Sequence, residues 1–239
     1  MVKFSKRTAS LISLGLTAIG IGLVAAALSL PEWITYAPPP ANPIISFVLP
    51  TGAREEWYYN SWGLWEIQGT RVEDGLECAF TLTFSCSIAK SEFSGDCGFV
   101  NFIAKTFDPL ESKGECQKLG ATRALLMSSP LILCISVLFL FVTVGRSSAP
   151  HSLGAAVALM YAGVSAFISS MLMVSLRSST SLDNDQFSGS LTSGFILALI
   201  GALMGLASAV ICIVVAEKGK SRLRYSIAED DEEEEDKGN

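Results

Sequence analysis

Four runs of mainly apolar residues, at 9–30, 121–145, 153–176 and 191–216, constrain this chain more than any other feature. Each is long enough to cross a hydrocarbon core of about 30 Å, which takes about 20 residues of helix. Within lipid every backbone N–H and C=O must be satisfied inside the protein, and four separate runs of this length meet that condition as helices. Half of the 239 residues are hydrophobic and only 17% are charged, which excludes an ordinary soluble domain. The expected class is a membrane α-helical protein with four transmembrane helices.

The first run follows Lys3, Lys6 and Arg7, an arrangement shared by uncleaved signal anchors and cleavable signal peptides, and Ala25-Ala26-Ala27 offers small residues for a peptidase. The length of the run and its direct passage into Pro31-Glu32-Trp33 favour an anchor. The second run contains Pro130 and Cys134. The third and fourth are rich in Ala, Gly and Ser, with Gly201 and Gly205 spaced as Gly-xxx-Gly, as expected of packing seams between helices of one protein. With four spans, Lys3, Lys6, Arg7, Arg146, Lys218, Lys220, Arg222 and Arg224 fall on one side of the membrane, and the positive-inside rule makes that side cytosolic. The chain then divides into a cytosolic N-terminus (1–8), a first span (9–30), an extracellular loop (31–120), a second span (121–145), a cytosolic turn (146–152), a third span (153–176), a short extracellular loop (177–190), a fourth span (191–216) and a cytosolic tail (217–239).

The first loop is polar, aromatic and cysteine-bearing. Its stretches at 44–48 and 79–84 suit strands, and Pro38, Pro39, Pro40 and Pro43 interrupt the first, so a small antiparallel sheet is expected after a proline-rich excursion. Between Glu32 and Lys118 twelve carboxylates face six Lys and Arg, leaving the loop net acidic by 6. A passage lined by such a loop would attract cations. The twelve-residue stretch from Glu66 to Glu77 reads as an acidic spacer. The tail ends in the acidic run 229–236, whose self-repulsion predicts disorder, while its basic start can lie on anionic lipid headgroups. Ser226, three residues before Glu229, reads as an acidophilic kinase site.

Cys78, Cys86, Cys97 and Cys116 allow three pairings in an oxidising compartment. Their spacing favours Cys78 with Cys86, a short closure between neighbouring strands, and Cys97 with Cys116. Cys134 and Cys212 lie within expected helices and read as small apolar side chains, with palmitoylation a second reading for Cys212. No metal site is expected: no Cys-x-x-Cys pair is present and the one histidine, His151, falls on the other face of the membrane. No catalytic set, cofactor motif or nucleic-acid partner is expected either. Of the four tryptophans, Trp33 suits the headgroup interface, whereas Gly63-Leu64-Trp65 reads as a wedge inserted between sheet and helix ends.

Four spans, a large first external loop, Pro31-Glu32-Trp33, Gly63-Leu64-Trp65, the pair Cys78 and Cys86, and Ala121-Thr122-Arg123-Ala124-Leu125 together resemble the superfamily of claudins, peripheral myelin proteins and epithelial membrane proteins. The resemblance covers nearly the whole chain. It implies a left-handed bundle of four transmembrane helices topped by a small extracellular antiparallel β-sheet formed mainly by the first loop. It assigns Trp33, Gly63, Leu64 and Trp65 to the loop motif, Cys78 and Cys86 to a loop disulfide, and Arg123 to the arginine that supports the loop from the mouth of the second helix. The extra pair Cys97 and Cys116 is more like channel auxiliary subunits and invertebrate relatives than vertebrate claudins. The chain ends Asp236-Lys237-Gly238-Asn239, without the terminal hydrophobic residue by which many claudins engage PDZ scaffolds.

The resemblance therefore implies a multi-pass plasma-membrane protein at cell–cell junctions, not an enzyme. It would form or regulate a paracellular barrier or cation-favouring pore, with the bilayer and copies of itself or related claudin-like proteins as partners. The alternative is an auxiliary subunit that modulates the gating or trafficking of a channel or receptor.

Overall fold

The computed structural model describes residues 5–35, 45–48, 52, 54–73, 76–83, 92–95, 113–146, 149–179 and 190–237. Four helices among them are long and apolar enough to cross a membrane: α1 (Lys6–Ser29), α2 (Lys113–Arg146), α3 (Ala149–Ser179) and α4 (Ser193–Lys237). The Ser5 hydroxyl accepts the Thr8 amide at 3.1 Å and so caps the start of α1. The helix stops ahead of Pro31, whose ring disfavours helical backbone at the residue before it. Among the described residues seven strands accompany the helices: β1 (Ile34–Thr35), β2 (Ile45–Val48), β3 (Arg54–Trp62), β4 (Glu66–Glu73), β5 (Leu76–Thr83), β6 (Glu92–Gly95) and β7 (Ser190–Leu191).

Several helices outrun their apolar runs. α2 begins at Lys113 instead of 121, because Leu119 and Thr122 are fully buried and Lys118 Nζ donates to Ser175 Oγ of α3 at 3.1 Å. With α2 reaching Arg146 and α3 running from Ala149 to Ser179, both helices enter the stretch 146–152 expected as a turn. The largest departure is at the tail: α4 continues to Lys237, through the acidic run expected to be disordered. Residues 220–237 contain neither Gly nor Pro and are rich in Glu, Lys and Arg, which are strong helix formers, and they extend a helix already nucleated by the apolar span.

The chain forms two compact units, 1–24 with 127–167 and 200–239, and 25–126 with 168–199. In the first, Leu133 and Leu140 of α2, Ala155, Leu159 and Ala162 of α3, and Ala209 and Cys212 of α4 form a buried cluster against which Leu14 and Ile21 of α1 pack. The Gly-xxx-Gly pair serves two partners. Gly201 lies against α1, where a Cβ would come 2.7 Å from Val24 Cγ2, and Gly205 lies against Gly163 of α3, at 3.5 Å from a Cβ to its Cα. Buried hydroxyls stitch α1 to α4: Ser13 and Thr17 both contact the Ser208 hydroxyl, Ser208 Oγ donates to Ser13 O at 2.9 Å, and Ser13 Oγ lies 3.1 Å from Cys212 Sγ. In lipid such groups need partners within the protein, which these contacts supply. Cys212 is 2% exposed, consistent with a small core side chain and not with an accessible acylation site.

The second unit holds the sheet. Its strands run β6-β5-β4-β3-β1-β7, all neighbours antiparallel, and β2 pairs the first half of β3 beside β1. The stretch expected as a spacer is strand β4 and the start of β5, paired with β3 on one side and β5 on the other. Its carboxylates conceal an alternating pattern in which Ile67 is buried and Gly69 makes room for the Phe80 ring opposite it. A register shift between Tyr59 and Ser61 brings Trp62 opposite Ile67, both fully buried. Glu55 and Arg71, 3% and 12% exposed, form an ion pair at 2.7 Å on this sheet.

Candidate functional site

A helix end leaves its last carbonyls without intrahelical partners, and at the end of α1 these carbonyls organise the loop motif. Ala26 O accepts the Leu30 amide at 3.2 Å and the Ser29 hydroxyl at 2.9 Å. The indole N–H of Trp33 donates to Ala27 O at 2.8 Å, and that of Trp65 donates to Leu28 O at 3.0 Å. Two tryptophans thus cap adjacent carbonyls of one helix, one reaching from just after it and the other from the β3–β4 turn.

The turn itself is Gly63-Leu64-Trp65. Gly63 N donates to Glu66 O at 2.8 Å, and the amide of Trp33 donates to Trp62 O at 3.0 Å. A Cβ at Gly63 would lie 2.7 Å from Pro31 O, so only glycine lets the turn approach this backbone. Leu64 is fully buried and its carbonyl accepts Arg123 Nε at 2.8 Å. The same guanidinium lies over the Trp65 ring, 4.9 Å from its centroid, a cation–π contact. Arg123 of α2 therefore holds the turn by its backbone and by its ring, and the ring holds α1.

The other side of Trp33 is closed by the start of α4. Glu32 O accepts Gly194 N and Thr192 Oγ1, each at 3.0 Å, and Trp33 O accepts Thr192 N at 3.1 Å. A Cβ at Gly194 would come 2.5 Å from Trp33 Cδ1. Further along, Ser169 Oγ of α3 donates to Thr122 O at 2.9 Å. Trp33, Gly63, Leu64, Trp65 and Arg123 are thus brought into one assembly within the second unit.

No family model matches this chain, and no curated protein matches it.

The geometry corrects the roles of two tryptophans. Trp33, expected at the headgroup interface, is fully buried, and Trp65, expected as the inserted anchor, is 39% exposed. The inserted side chains of the wedge are Trp62 and Leu64. Gly194, Thr192 and Trp62 also belong to the assembly: Trp62 opens the Trp-Gly-Leu-Trp stretch and Gly194 is one of the small residues expected at a packing seam, whereas nothing in the sequence singles out Thr192.

Cys78 and Cys116 are each engaged in a disulfide. Cys86 and Cys97 lie outside the described residues, and Ser226 lies in the part of α4 whose side chains are not described. Tyr58 donates its hydroxyl to Glu56 Oε2 at 2.7 Å. That bond, assisted by burial and by the charge of Glu56 and opposed by that of Arg54, raises its pKa. Among the described residues no group of three or more His, Cys, Asp and Glu could hold a metal ion. The assembly offers no nucleophile with a base: its chemistry is hydrogen bonding and aromatic packing, suited to holding a folded surface on helix ends.

Proposed function

We propose that this chain is a claudin-like, multi-pass plasma-membrane protein whose four helices form a left-handed bundle and whose sheet is an extracellular surface for contacts with copies of itself or related proteins, on the same and on the facing cell. The observation that carries this reading is Arg123 binding Leu64 O and stacking on Trp65. It gives the Gly-Leu-Trp turn and the arginine at the mouth of α2 the joint role that the resemblance implies. The basic residues Lys6, Arg7, Arg146 and Lys218 at the ends of the apolar spans support cytosolic termini and an external sheet. In that compartment the loop cysteines pair as Cys78 with Cys86 and Cys97 with Cys116.

Contacts among such sheets at a junction would form a barrier or enclose a pore. Glu55 and Glu56 are engaged by Arg71 and by Arg54, so cation preference would come from the other carboxylates of the acidic loop. The reading is tested by expressing the full chain in epithelial cells, imaging its distribution and identifying what co-purifies. Enrichment at cell–cell contacts with self-association between apposed cells supports it. Uniform surface distribution with a stoichiometric channel or receptor overturns it in favour of an auxiliary subunit.

A further inference from the structure

In the first unit the N-terminal end of α1 and the far end of the apolar part of α4 enclose a cavity of about 360 Å³, a volume in the range of ligand sites. Its walls are apolar, with Ala9 and Ile12 on α1 and Val214 and Val215 on α4, and Lys6 and Lys218 join its lining. Both lysines terminate their membrane-spanning segments: Lys6 opens the first and Lys218 closes the fourth. From Lys6 to Ile12 the groove follows α1 for roughly 9 Å at about 1.5 Å of rise per residue.

An apolar trough with two cations at one end matches an amphiphile with an anionic head. We infer that this groove is a binding site for one anionic glycerophospholipid, its phosphate held between Lys6 and Lys218 and an acyl chain laid along Ala9, Ile12 and Val214. The inference rests on the helices lying in a bilayer and is independent of any junctional role. Long cationic side chains at helix ends extend toward headgroups while their stems stay on apolar surface, and anionic lipids are drawn to basic residues there. Two basic residues lining one groove add what a diffuse basic segment lacks, a place for a single headgroup. Val214 is 45% and Ile12 41% exposed, so the trough is open along its length to a chain arriving from the lipid.

The test uses the full chain in detergent, titrated separately with phosphatidylserine and phosphatidylcholine, with lipid adducts counted by native mass spectrometry. The wild type is expected to bind phosphatidylserine roughly tenfold more tightly, from two cations close to one anionic head. Lys6→Gln with Lys218→Gln should bring the two lipids to within about twofold of each other. Ala9→Trp, which fills the trough and keeps both lysines, should remove the tight adduct, and it decides the matter if the double variant fails to fold. Lys220→Gln with Arg222→Gln and Arg224→Gln should retain the preference. Equal binding of the two lipids by the wild type, a preference that survives both groove changes, or a preference lost only with the tail residues would each overturn the site, and none would bear on junctional assembly.

Discussion

Gly63→Ala is the sharpest single perturbation of the sheet's attachment. The added methyl would sit 2.7 Å from Pro31 O, 2.9 Å from its Cα and 3.0 Å from its carbonyl carbon, all backbone atoms that cannot rotate away. Relieving the first contact alone moves the turn by about 0.7 Å, an overpacking displacement that costs about 1–3 kcal/mol. The movement also stretches the two backbone hydrogen bonds beside it, Trp33 N to Trp62 O at 3.0 Å and Gly63 N to Glu66 O at 2.8 Å. At about 1 kcal/mol each, their weakening brings the loss to roughly 3–4 kcal/mol. That corresponds to a melting temperature lower by roughly 10 °C for a chain of this size. The assay is thermal unfolding of the full chain in detergent, followed by near-ultraviolet circular dichroism, which reports the buried Trp33 and Trp62. Gly120→Ala is the control, since no atom lies within 4 Å of a Cβ there, and it should leave the transition unchanged or raise it slightly. A Gly63→Ala protein that melts with the wild type, or a control that falls as far, would refute the reasoning.

Arg123→Ala removes both the bond to Leu64 O and the stack on Trp65, worth together roughly 2–4 kcal/mol, whereas Arg123→Lys should recover less than half of that because an ammonium lacks the planar donor. Limited proteolysis should find the Ala variant's first loop cut markedly faster. Glu55→Gln removes the carboxylate that Arg71 contacts at 2.7 Å in a nearly buried site and should destabilise the sheet by roughly 1–3 kcal/mol, measured as a lower denaturation midpoint; an unchanged midpoint would place the pair in solvent. Tyr58, whose pKa is raised above 10.0, is protonated and bonded to Glu56 below that pH, and this contribution is lost as pH climbs through the raised value. Ultraviolet titration should show Glu56→Gln ionising Tyr58 at lower pH than the wild type.

The helices were legible in the sequence because lipid demands length and apolarity together, and both are visible without a partner. Their ends were not. Residues 113–120 are polar enough to read as loop, yet Leu119 and the Lys118 bond to Ser175 keep them helical. Strands β2 and β5 fell close to the stretches singled out, but β4 hid behind its glutamates: only pairing on both edges makes Glu66–Glu73 a central strand. At the site, the participants Trp33, Gly63, Leu64, Trp65 and Arg123 were named from the sequence and do meet. What escaped was which indole is buried. A tryptophan next to an apolar run suits a headgroup layer equally well, and the deciding factor, the open carbonyl of Ala27, exists only once α1 has ended. Gly194 was legible as a packing-seam glycine but not as the neighbour of Trp33, because that role is defined by the ring it faces.

Dilution potentials across epithelial monolayers expressing the full chain test the central claim most directly. A claudin-like protein with an acidic outer loop should concentrate at cell contacts and shift the monolayer toward sodium over chloride. A shift toward chloride would contradict the charge assignment, and a protein absent from junctions, with permeability unchanged, would contradict the claudin-like reading itself.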